Sequence, residues 1–427
     1  MAKKLKKLAF GTKGSIPVTA CQSCGNKRLT SVVFIGYLPP VNKLHKIGST
    51  PQEEPSYPAE MLFCDKCKLA QLGLIVDPEI LFPHEYPYTS GTTKILRENF
   101  ADLYRESSKI LNLKKEDLVV DIGSNDGTLL ENFKQGHKVL GVTPEDIGKL
   151  AIKKGIPTVL DYFNKDTAKK IIAKHGKANL ITAANVFAHM ENIHEIIKAV
   201  LLLLSKDGVF ISESHYLFPL MKRVQYDTIY HEHMRYYSLI SLKNLLEAHG
   251  LEIFHVKEIP SHGGSIRVYS ARGGVKKIDT SVGKQLNREK LTVTTKKSFD
   301  EFARKTVLSK LALNSLLLNI KKSGGRIYGI SAPSRASTLI NYTGLDDKII
   351  DFVVEIKGSY KIGNYVPGTR IPIMDEEKLF KDQPEYALLL SWHIAEELIF
   401  NLSKKGFKGN FIIPLPYPKI VKNKKTS

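Results

Sequence analysis

Leu118-Val119-Val120-Asp121-Ile122-Gly123-Ser124-Asn125-Asp126-Gly127 is the segment from which the architecture of this chain follows. Its first half is an apolar run that predicts a strand. Its second half is a glycine turn, and apolar residues at helical spacing come after it. A glycine turn between a strand and a helix lets a ligand approach the backbone where the helix begins. The segment therefore predicts a strand–turn–helix unit with a ligand site at the turn.

Strands and helices continue to alternate along the next hundred residues or so. Later apolar strands run up to Val142, to Asp161 and to Asn185, and another begins at Val209. Polar residues that follow parallel strands on one edge of a sheet form a cofactor crevice. A dehydrogenase is the rival interpretation, but the third glycine of the GxGxxG turn is missing. The pattern favours an α/β domain with a cofactor site at the strand ends.

The segment from Asp227 to Ser238 concentrates side chains that donate, accept or move protons without a permanent positive charge. They are Tyr230, His231, Glu232, His233, Tyr236 and Tyr237. Imidazole, carboxylate and phenol groups at this density suit general acid–base work. A zinc-protease site is excluded, because the HExxH motif requires a histidine where this chain has Arg235. A hydrogen-bonded loop between helices is the alternative interpretation.

The four cysteines form two CxxC pairs: Cys21 with Cys24, and Cys64 with Cys67. Four thiolates suit tetrahedral zinc. The pairs are 39 residues apart, so a folded insert must bring them together. Because every cysteine is used, we expect a structural zinc ion that holds a small β-rich module. Disulfide bonds are the alternative, but nothing else in the sequence indicates an oxidising compartment.

Two further loops carry candidate ligand groups. The loop His84–Gly91 contains Tyr86 and Tyr88, which are candidates for a ligand wall or for packing against the next helix. Further on, a long helix precedes a strand that ends at Ile330, and its apolar positions are Phe302, Val307, Leu311, Leu313 and Leu317. The turn Ser331-Ala332-Pro333-Ser334-Arg335 then opens a helix, and such a turn predicts an anion site. A simple strand–turn–helix crossing is the alternative.

Lysine and arginine outnumber aspartate and glutamate by 63 to 43, which makes the net charge +20. Nucleic-acid binding is one interpretation of this charge. A lysine-rich surface is the other, and we favour it because no RNA-binding signature accompanies the charge. No apolar run is long enough to span a bilayer, and no signal-peptide pattern is present. We therefore expect a cytoplasmic protein without a membrane partner.

The glycine turn, together with Asn185 and the Lys206-Asp207-Gly208 turn, resembles class I S-adenosylmethionine-dependent methyltransferases. The resemblance implies that the first turn holds the methionine end of the cofactor and that Asp161 reaches adenine. That family places an acid on the ribose at the end of strand two, where this chain has Thr143-Pro144-Glu145. Either Glu145 takes that role or Thr143 makes a weaker contact. The remaining implied cofactor residues are Asp121, Gly123, Ser124, Asn125, Gly127 and Asn185.

The order of all these motifs, with His262-Gly263-Gly264 among them, is similar to that of the nucleotide-sugar C-methyltransferases. Those enzymes methylate carbon 3 of dTDP-4-keto-deoxysugars. The resemblance runs from about Cys21 to Pro418. It implies an α/β protein of three domains: a zinc-binding module at 15–85, a class I methyltransferase domain at 86–275, and a Rossmann-like domain at 276–427 that helps to hold the nucleotide diphosphate.

The resemblance also implies residue roles. Carbon methylation needs an enolate beside the 4-ketone, and hence a base, an oxyanion donor and an aligned methyl group. We expect His233 to be the base, with its tautomer fixed by Glu232 or by a backbone group, and His189 to be the alternative base. Tyr230 would be the oxyanion donor, and Glu232 would orient the network. Either Tyr86 or Tyr88 would close the sugar pocket. The implied substrate-binding residues are Ser331, Ala332, Ser334, Arg335 and Asn341.

Two other functions stay open at this point. One is an RNA methyltransferase with a zinc-ribbon recognition module, which would bind RNA with a steep dependence on salt. The other is a non-catalytic nucleotide-sugar-binding protein, for which the departure at Thr143 is the one hint. As partners we expect a small-molecule nucleotide sugar and no nucleic acid. We also expect a monomer or a weak homo-oligomer.

Overall fold

The computed structural model describes residues 14–82, 91 and 93–423. Within these ranges the chain forms an N-terminal module, a central α/β unit and a C-terminal α/β unit, each built on its own main sheet. This architecture confirms the predicted fold class.

The N-terminal module is built on an antiparallel sheet whose residues alternate between buried and partly exposed positions. The sheet pairs Thr30 with Phe63, so the long insert folds back on itself and brings the two cysteine pairs together. The module and the helices that follow it consist of β1 (Ile16–Pro17), β2 (Thr30–Leu38), β3 (His45–Lys46), β4 (Tyr57–Phe63), β5 (Ala70–Leu72), β6 (Leu74–Ile75), α1 (Pro78–Leu81) and α2 (Lys94–Ile110).

The central unit contains a seven-stranded sheet in the order β13-β14-β11-β10-β7-β8-β9. Only β14 runs antiparallel to its neighbours. The strand order reverses between β7 and β10, and ligands bind outside the carboxyl ends of strands at such a point. Its elements are β7 (Leu118–Ile122), α3 (Thr128–Glu131), β8 (Lys138–Val142), α4 (Gly148–Lys153), β9 (Thr158–Val159), α5 (Lys165–His175), β10 (Ala178–Ala184), α6 (Ile193–Leu203), β11 (Leu204–His215), α7 (Leu217–Lys222), β12 (Arg235–Tyr236), α8 (Leu239–Glu247), β13 (Leu251–Ile259), β14 (Ser265–Arg272) and α9 (Thr280–Glu289).

The C-terminal unit contains a six-stranded sheet in the order β18-β16-β15-β19-β20-β21, parallel except for β21. Its strand order reverses between β15 and β19, beside the turn that starts at Ser331. Its elements are α10 (Lys296–Lys322), β15 (Ile327–Ile330), α11 (Ser334–Thr343), β16 (Phe352–Glu355), β17 (Asn364–Tyr365), β18 (Ile373–Asp375), α12 (Glu377–Asp382), β19 (Tyr386–Leu389), α13 (Ala395–Lys404), β20 (Asn410–Ile413) and β21 (Lys419–Val421).

Helix α10 corrects one sequence prediction. Val307 and Leu311, assigned above to its apolar face, are 50% and 57% exposed. The other three predicted positions, Phe302, Leu313 and Leu317, are buried and belong to the face through which the helix packs, as expected. Leucines occur all around this helix, so periodicity alone does not decide which side is buried. In the ranges that the structure describes, no helix combines the length and the apolar character needed to cross a bilayer.

Short strand pairings join the three units. Arg235, in strand β12, pairs with Gln71 of the N-terminal sheet, so the segment from Asp227 to Ser238 is attached to the cysteine module. Tyr365, in strand β17, pairs with His45. Helix α9 belongs with the central unit by its contacts, because Glu289 at its end accepts a hydrogen bond from the hydroxyl of Tyr216 at 2.6 Å. The domain boundaries at 85 and 275 stay predictions.

Candidate active site

A cavity of about 680 Å³ lies between the three units. Its wall combines the carboxyl ends of β7, β8 and β10 with the segment that follows residue 227 and the start of α11. This volume is within the range of small-molecule sites, roughly 300–1,000 Å³. The predicted site residues that line it are Gly123, Asn125, Thr143, Asn185, His189, Tyr230, Glu232, His233, Ser334 and Arg335.

The turn after β7 presents bare backbone to the cavity. Gly123 has a φ of 74°, and a Cβ atom there would meet a methyl carbon of Val186 at 2.8 Å. Asn125 and Asn185 also adopt the left-handed region, with φ of 50° and 59°. Among the described residues, neither side-chain polar atom of Asn185 has a hydrogen-bond partner, although both are buried. Unpaired buried amides are costly, so Asn185 fits a polar group of a bound cofactor.

Three predicted cofactor residues lie beneath this turn and do not line the cavity. Asp121 is buried and accepts a hydrogen bond from Thr182 Oγ1 at 2.6 Å. Loss of contact with water raises the pKa of Asp121 to about 7. The Ser124 hydroxyl packs closely against Gly141, where a Cβ atom would come within 2.4 Å of it. Gly127, with a φ of 80°, is the N-cap of α3. These three residues help to fix the shape of the turn but do not face the cavity.

The next two strand ends meet the cavity differently. The Thr143 hydroxyl donates a hydrogen bond to the Glu145 carboxylate, and both residues line the cavity. Thr143 therefore holds the Glu145 carboxylate at the cavity wall, and the role of either residue at the ribose stays a prediction. Asp161 is not part of the cavity wall, and its carboxylate accepts a hydrogen bond from the Tyr162 backbone amide at 2.8 Å. Tyr162 and Phe163 line the cavity in its place, and neither was predicted from the sequence.

His233 has a defined hydrogen-bond partner. Its Nδ1 lies 2.8 Å from the backbone oxygen of Thr228. A carbonyl only accepts, so Nδ1 carries the proton and Nε2 keeps its lone pair. Loss of contact with water, together with the nearby His189, lowers the pKa of His233 well below its usual range. The centroid of the Tyr230 ring is 4.2 Å from that of His233. A neutral imidazole beside a phenol suits proton abstraction.

Other imidazoles surround His233. The ring centroid of His215 lies 4.3 Å from that of His233, and the ring of His189 lies 5.1 Å away. His262 lies 5.3 Å beyond His215. Loss of contact with water lowers the pKa of both His189 and His262 to about 4. The cluster is therefore neutral at pH 7, and His189 remains at the wall as the alternative base. Neither His215 nor His262 was predicted from the sequence to have a role in the site.

Glu232 connects the three units. Its Oε1 accepts a hydrogen bond from Asn42 Nδ2 at 2.8 Å. The hydroxyl of Ser334 in turn donates to Asn42 Oδ1 at 3.3 Å. Asn42 comes from the N-terminal module and Ser334 from the C-terminal unit, so this chain of contacts crosses the cavity wall. Of the two expected partners for the His233 tautomer, Glu232 or a backbone group, the backbone carbonyl of Thr228 holds the Nδ1 proton.

Arg335, predicted to bind an anion of the substrate, already has an anionic partner. Its Nε and Nη2 donate to the two carboxylate oxygens of Asp227 at 2.7 and 2.8 Å. The indole of Trp392 donates to the same carboxylate at 2.7 Å. Both members of the ion pair are buried. The positive charge of Arg335 is therefore balanced inside the protein.

The other predicted substrate residues of the C-terminal unit do not line the cavity. Ser331 begins the turn after β15 with a φ of 68°, and its amide donates to the Val354 carbonyl at 2.9 Å. The Ala332 amide donates to the Glu355 carboxylate at 2.6 Å, so it is also engaged within the unit. Asn341 Nδ2 donates to the Pro367 carbonyl at 2.9 Å and supports a loop behind α11. All three residues are therefore hydrogen-bonded within the C-terminal unit and do not face the cavity.

Tyr86 and Tyr88 lie outside the described residues, so their predicted place at the sugar pocket stays a prediction. The described residues on either side of this segment lie at the cavity. Phe82, before the loop, and Thr93, after it, both line the cavity. The ring centroid of Phe82 is 6.0 Å from that of His189.

The four cysteines converge in the N-terminal module. Their sulfur atoms all lie within 4.8 Å of one another, and the two closest pairs are 3.4 and 3.6 Å apart. Tetrahedral zinc with sulfur ligands requires a separation of about 3.8 Å between sulfurs. The residues after each pair, Gly25 and Lys68, share a left-handed backbone with φ of 67° and 62°. The residues fit a structural zinc site in which every coordination position is a thiolate, as predicted: Cys21, Cys24, Cys64 and Cys67.

Comparisons with known proteins cover the same three parts. Residues 260–416 match the family model "C-methyltransferase C-terminal domain", residues 93–256 match "Methyltransferase domain", and residues 21–82 match "Putative zinc binding domain". Among solved structures, the magnesium protoporphyrin IX methyltransferase of Synechocystis PCC 6803 with bound SAM is 15% identical, with a TM-score of 0.32 over 42% of this chain and 79% of that chain. A S-adenosylmethionine-dependent methyltransferase from Clostridium acetobutylicum ATCC 824 is 16% identical, with a TM-score of 0.34 over 43% and 94%.

A curated relative extends across all three parts. It is the C-methyltransferase NovU of Streptomyces niveus, which is 33% identical over 417 residues. The similarity covers 96% of this chain and 98% of the relative. Because the similarity at this identity runs along nearly the whole of both chains, this chain belongs to the C-methyltransferase family and is a S-adenosylmethionine-dependent enzyme with an N-terminal zinc-binding domain.

Proposed function

We propose that this C-methyltransferase acts on carbon 3 of a 4-keto-deoxy sugar linked to a nucleoside diphosphate. The observation that carries the proposal is the state of His233. Its proton is on Nδ1, held by the Thr228 carbonyl, and its Nε2 is a neutral acceptor in the cavity that also contains the Gly123 turn. A sugar carbon has no nucleophilic lone pair, so the enzyme needs such a base and a substrate with an acidic C–H bond. A ketone next to the reacting carbon makes that bond acidic.

The chain's own groups provide the proton chemistry. Nε2 of His233 removes the proton from carbon 3, and the electron pair of the C–H bond moves toward the ketone to form an enolate. The Tyr230 hydroxyl donates a hydrogen bond to the oxygen on which negative charge develops. S-adenosylmethionine would supply the electrophilic methyl group for carbon 3 and would leave as S-adenosylhomocysteine. The Asn185 amide and the turn at Gly123 would hold the cofactor beside His233.

The surroundings of His233 suit both halves of this step. Before the reaction, desolvation and the neighbouring His189 keep its pKa low, so that Nε2 is free to accept a proton at pH 7. After the reaction the imidazolium still donates from Nδ1 to the Thr228 carbonyl. A hydrogen bond to the charged form stabilises it.

The test is His233→Asn, assayed with a panel of 4-keto nucleotide sugars. Loss of a general base should lower kcat by about 10²- to 10⁴-fold, while the affinity for S-adenosylhomocysteine stays unchanged. His137→Asn is a matched control, because His137 Nδ1 also lies near a backbone carbonyl, at 2.9 Å, but on the exposed surface. Mass spectrometry and NMR of the product would locate the added methyl group.

Two results would contradict the proposal. A product methylated on oxygen or nitrogen would exclude the enolate. Turnover that survives in His233→Asn would transfer the role of base to His189, which lines the same cavity. Incubation in deuterated water without the methyl donor adds a second readout, because exchange of the carbon 3 proton should require His233.

A further inference from the structure

The buried arginines of this chain differ in how their charge is balanced. Within the described ranges they are Arg235, Arg267 and Arg335. Arg267 is paired with the Glu213 carboxylate at 2.9 Å, and Arg335 is paired with that of Asp227 at 2.7 Å. Arg235 is 1% exposed, and it forms no ion pair with any carboxylate among the residues that the structure describes. Because a buried cation is costly unless an anion balances it, Arg235 requires a negative group of another kind.

On one side, Arg235 is connected to the N-terminal module. It lies opposite Gln71 in the pairing of β12 with β5. The side-chain oxygen of Gln71 accepts the backbone amide of Gln22 at 2.9 Å, and Gln22 follows Cys21. Loss of contact with water lowers the pKa of Arg235, and the groups that act in the opposite direction include Tyr237 and Cys21. Cys21 is therefore close enough for the charge of its thiolate to act on the guanidinium.

The zinc site supplies the negative charge that the other neighbours of Arg235 lack. Burial raises the pKa of Tyr237 to about 12, so its hydroxyl is neutral at pH 7. Glu191 is an exposed residue whose carboxylate forms no ion pair with Arg235. Four thiolates outweigh the charge of one Zn²⁺ and leave the site with two negative charges. Three of the four cysteines are buried, so this charge is only weakly screened by water.

On its other side, Arg235 holds part of the cavity wall. Its Nη1 and Nη2 donate to the backbone carbonyls of Met190 and Glu191 at 2.5 and 2.6 Å. Both residues line the cavity, and they come directly after His189. The ring centroid of His189 is 5.1 Å from that of His233. The position of the guanidinium therefore bears on the segment that places His189 beside His233.

We propose that Arg235 is the positioning residue through which the zinc site fixes the wall of the methylation cavity. The negative charge of the zinc-bound thiolates stabilises the buried guanidinium. The guanidinium in turn holds the Met190 and Glu191 carbonyls, so that His189 keeps its distance from His233. The zinc site then contributes to the geometry of the active site as well as to the fold of its own module. This role does not depend on which sugar is methylated or on which of the two histidines is the base.

The first measurement is the zinc affinity of full-length Arg235→Met and Arg235→Lys, from equilibrium competition with EDTA at pH 7. Loss of a group that supports a metal site from outside its ligands costs about 10- to 100-fold in metal affinity, and we expect a loss of this size in Arg235→Met. Arg235→Lys keeps the positive charge and should bind zinc nearly as tightly as the wild type. Arg272→Met is the matched control, because Arg272 also donates to two backbone carbonyls, at 2.7 and 3.4 Å, but at the end of β14.

The second measurement is the imidazole NMR signal of His189 in zinc-loaded protein with isotope-labelled histidine, assigned with His189→Asn. This signal should shift in Arg235→Met and also in Arg235→Lys. The reason is that an ammonium is a point donor and lacks the planar fork with which arginine reaches two carbonyls at once. In Arg272→Met the signal should stay in place. The lysine variant thus separates the charge of Arg235, which zinc affinity reports, from its contacts, which His189 reports.

Several outcomes would overturn the proposal. One is wild-type zinc affinity in Arg235→Met, and another is an equal loss of affinity in Arg235→Met and Arg272→Met, which would mean that zinc retention follows general stability. A loss as large in Arg235→Lys as in Arg235→Met would show that charge does not connect Arg235 with the thiolates. If Arg235→Met does not fold, Arg235→Lys decides: retained zinc with a shifted His189 signal supports the proposal, and an unshifted signal overturns it.

Discussion

The two mostly parallel sheets of this enzyme face one cavity. They differ in whether the polar residues at their strand ends already have partners within the protein. In the central sheet the strand order reverses between β7 and β10, and in the C-terminal sheet it reverses between β15 and β19. At the first reversal, Gly123 exposes backbone and the Asn185 amide is buried without a partner among the described residues. At the second, Arg335 is paired with Asp227, and the Trp392 indole donates a hydrogen bond to the same carboxylate.

This difference shows what a strand-end motif predicts and what it does not. In both sheets, polar residues follow the strand at which the order reverses, so sequence places both edges at ligand sites. Whether those residues are available to a ligand depends on partners from distant parts of the chain. Asp227 is 108 residues from Arg335 in sequence, and its carboxylate neutralises the charge of the guanidinium. The central edge is open to ligands, whereas the C-terminal edge is largely closed by its own contacts.

The largest effect on stability should come from removing the carboxylate that pairs with Arg335 at the C-terminal edge. Asp227→Ala leaves the buried guanidinium of Arg335 without its carboxylate, and such a loss costs about 3–5 kcal/mol. Urea denaturation at pH 7 should show a markedly lower midpoint. Glu301→Ala, which removes an exposed ion pair with Arg304 in the same unit, should leave the midpoint unchanged. Equal midpoints in the two variants would mean that water already reaches Arg335, and the two edges would no longer differ.

Acid should lower the stability of the protein, because the buried imidazoles around the cavity must take up protons. The folded-state pKa of His189 and His262 is lowered to about 4, below the ordinary value of 6.5. The unfolded chain therefore binds protons first, so their contribution is complete above about pH 6.5 and is lost as the pH falls toward 4. The loss is roughly 2–3 kcal/mol for each imidazole near pH 4.5.

Urea midpoints measured between about pH 7 and pH 4.5 would follow this loss. His262→Asn removes one titrating group and suits the left-handed φ of 55° at that position. Its stability should therefore fall less steeply with acid than that of the wild type. An unchanged slope would show that His262 is protonated without penalty in the folded protein.

The smallest effect compares one asparagine from each edge. Asn185→Ala removes an amide that has no partner among the described residues and should weaken S-adenosylhomocysteine binding about tenfold. Asn341→Ala removes an amide that already serves the Pro367 carbonyl, so it should lower stability and leave that affinity unchanged. Calorimetry with the two variants separates the outcomes. A similar loss of affinity in both would mean that Asn185 acts through the fold and not through contact with the cofactor.

Local patterns were sufficient for several conclusions about this enzyme. The glycine turn after an apolar strand predicted the central fold, because only a residue without a side chain leaves room for Val186 at Gly123. The spacing of the cysteines predicted the metal site, because two short knuckles present four sulfurs in one direction. The fold class, the cofactor and the zinc module are confirmed. The substrate, the domain boundaries, the cytoplasmic location and the oligomeric state stay predictions.

Sequence alone established which chemical groups this chain possesses and which strand ends carry them, since those properties are encoded in neighbouring residues. Folding alone settled which of these groups are still free. Asp227 neutralises Arg335, the Thr228 carbonyl selects the tautomer of His233, and the Met190 carbonyl holds Arg235. Each of these outcomes depends on burial and on a partner brought close by the fold. Desolvation and pairing determine whether a charge or a lone pair can serve a ligand, and neither can be read from residue types in order.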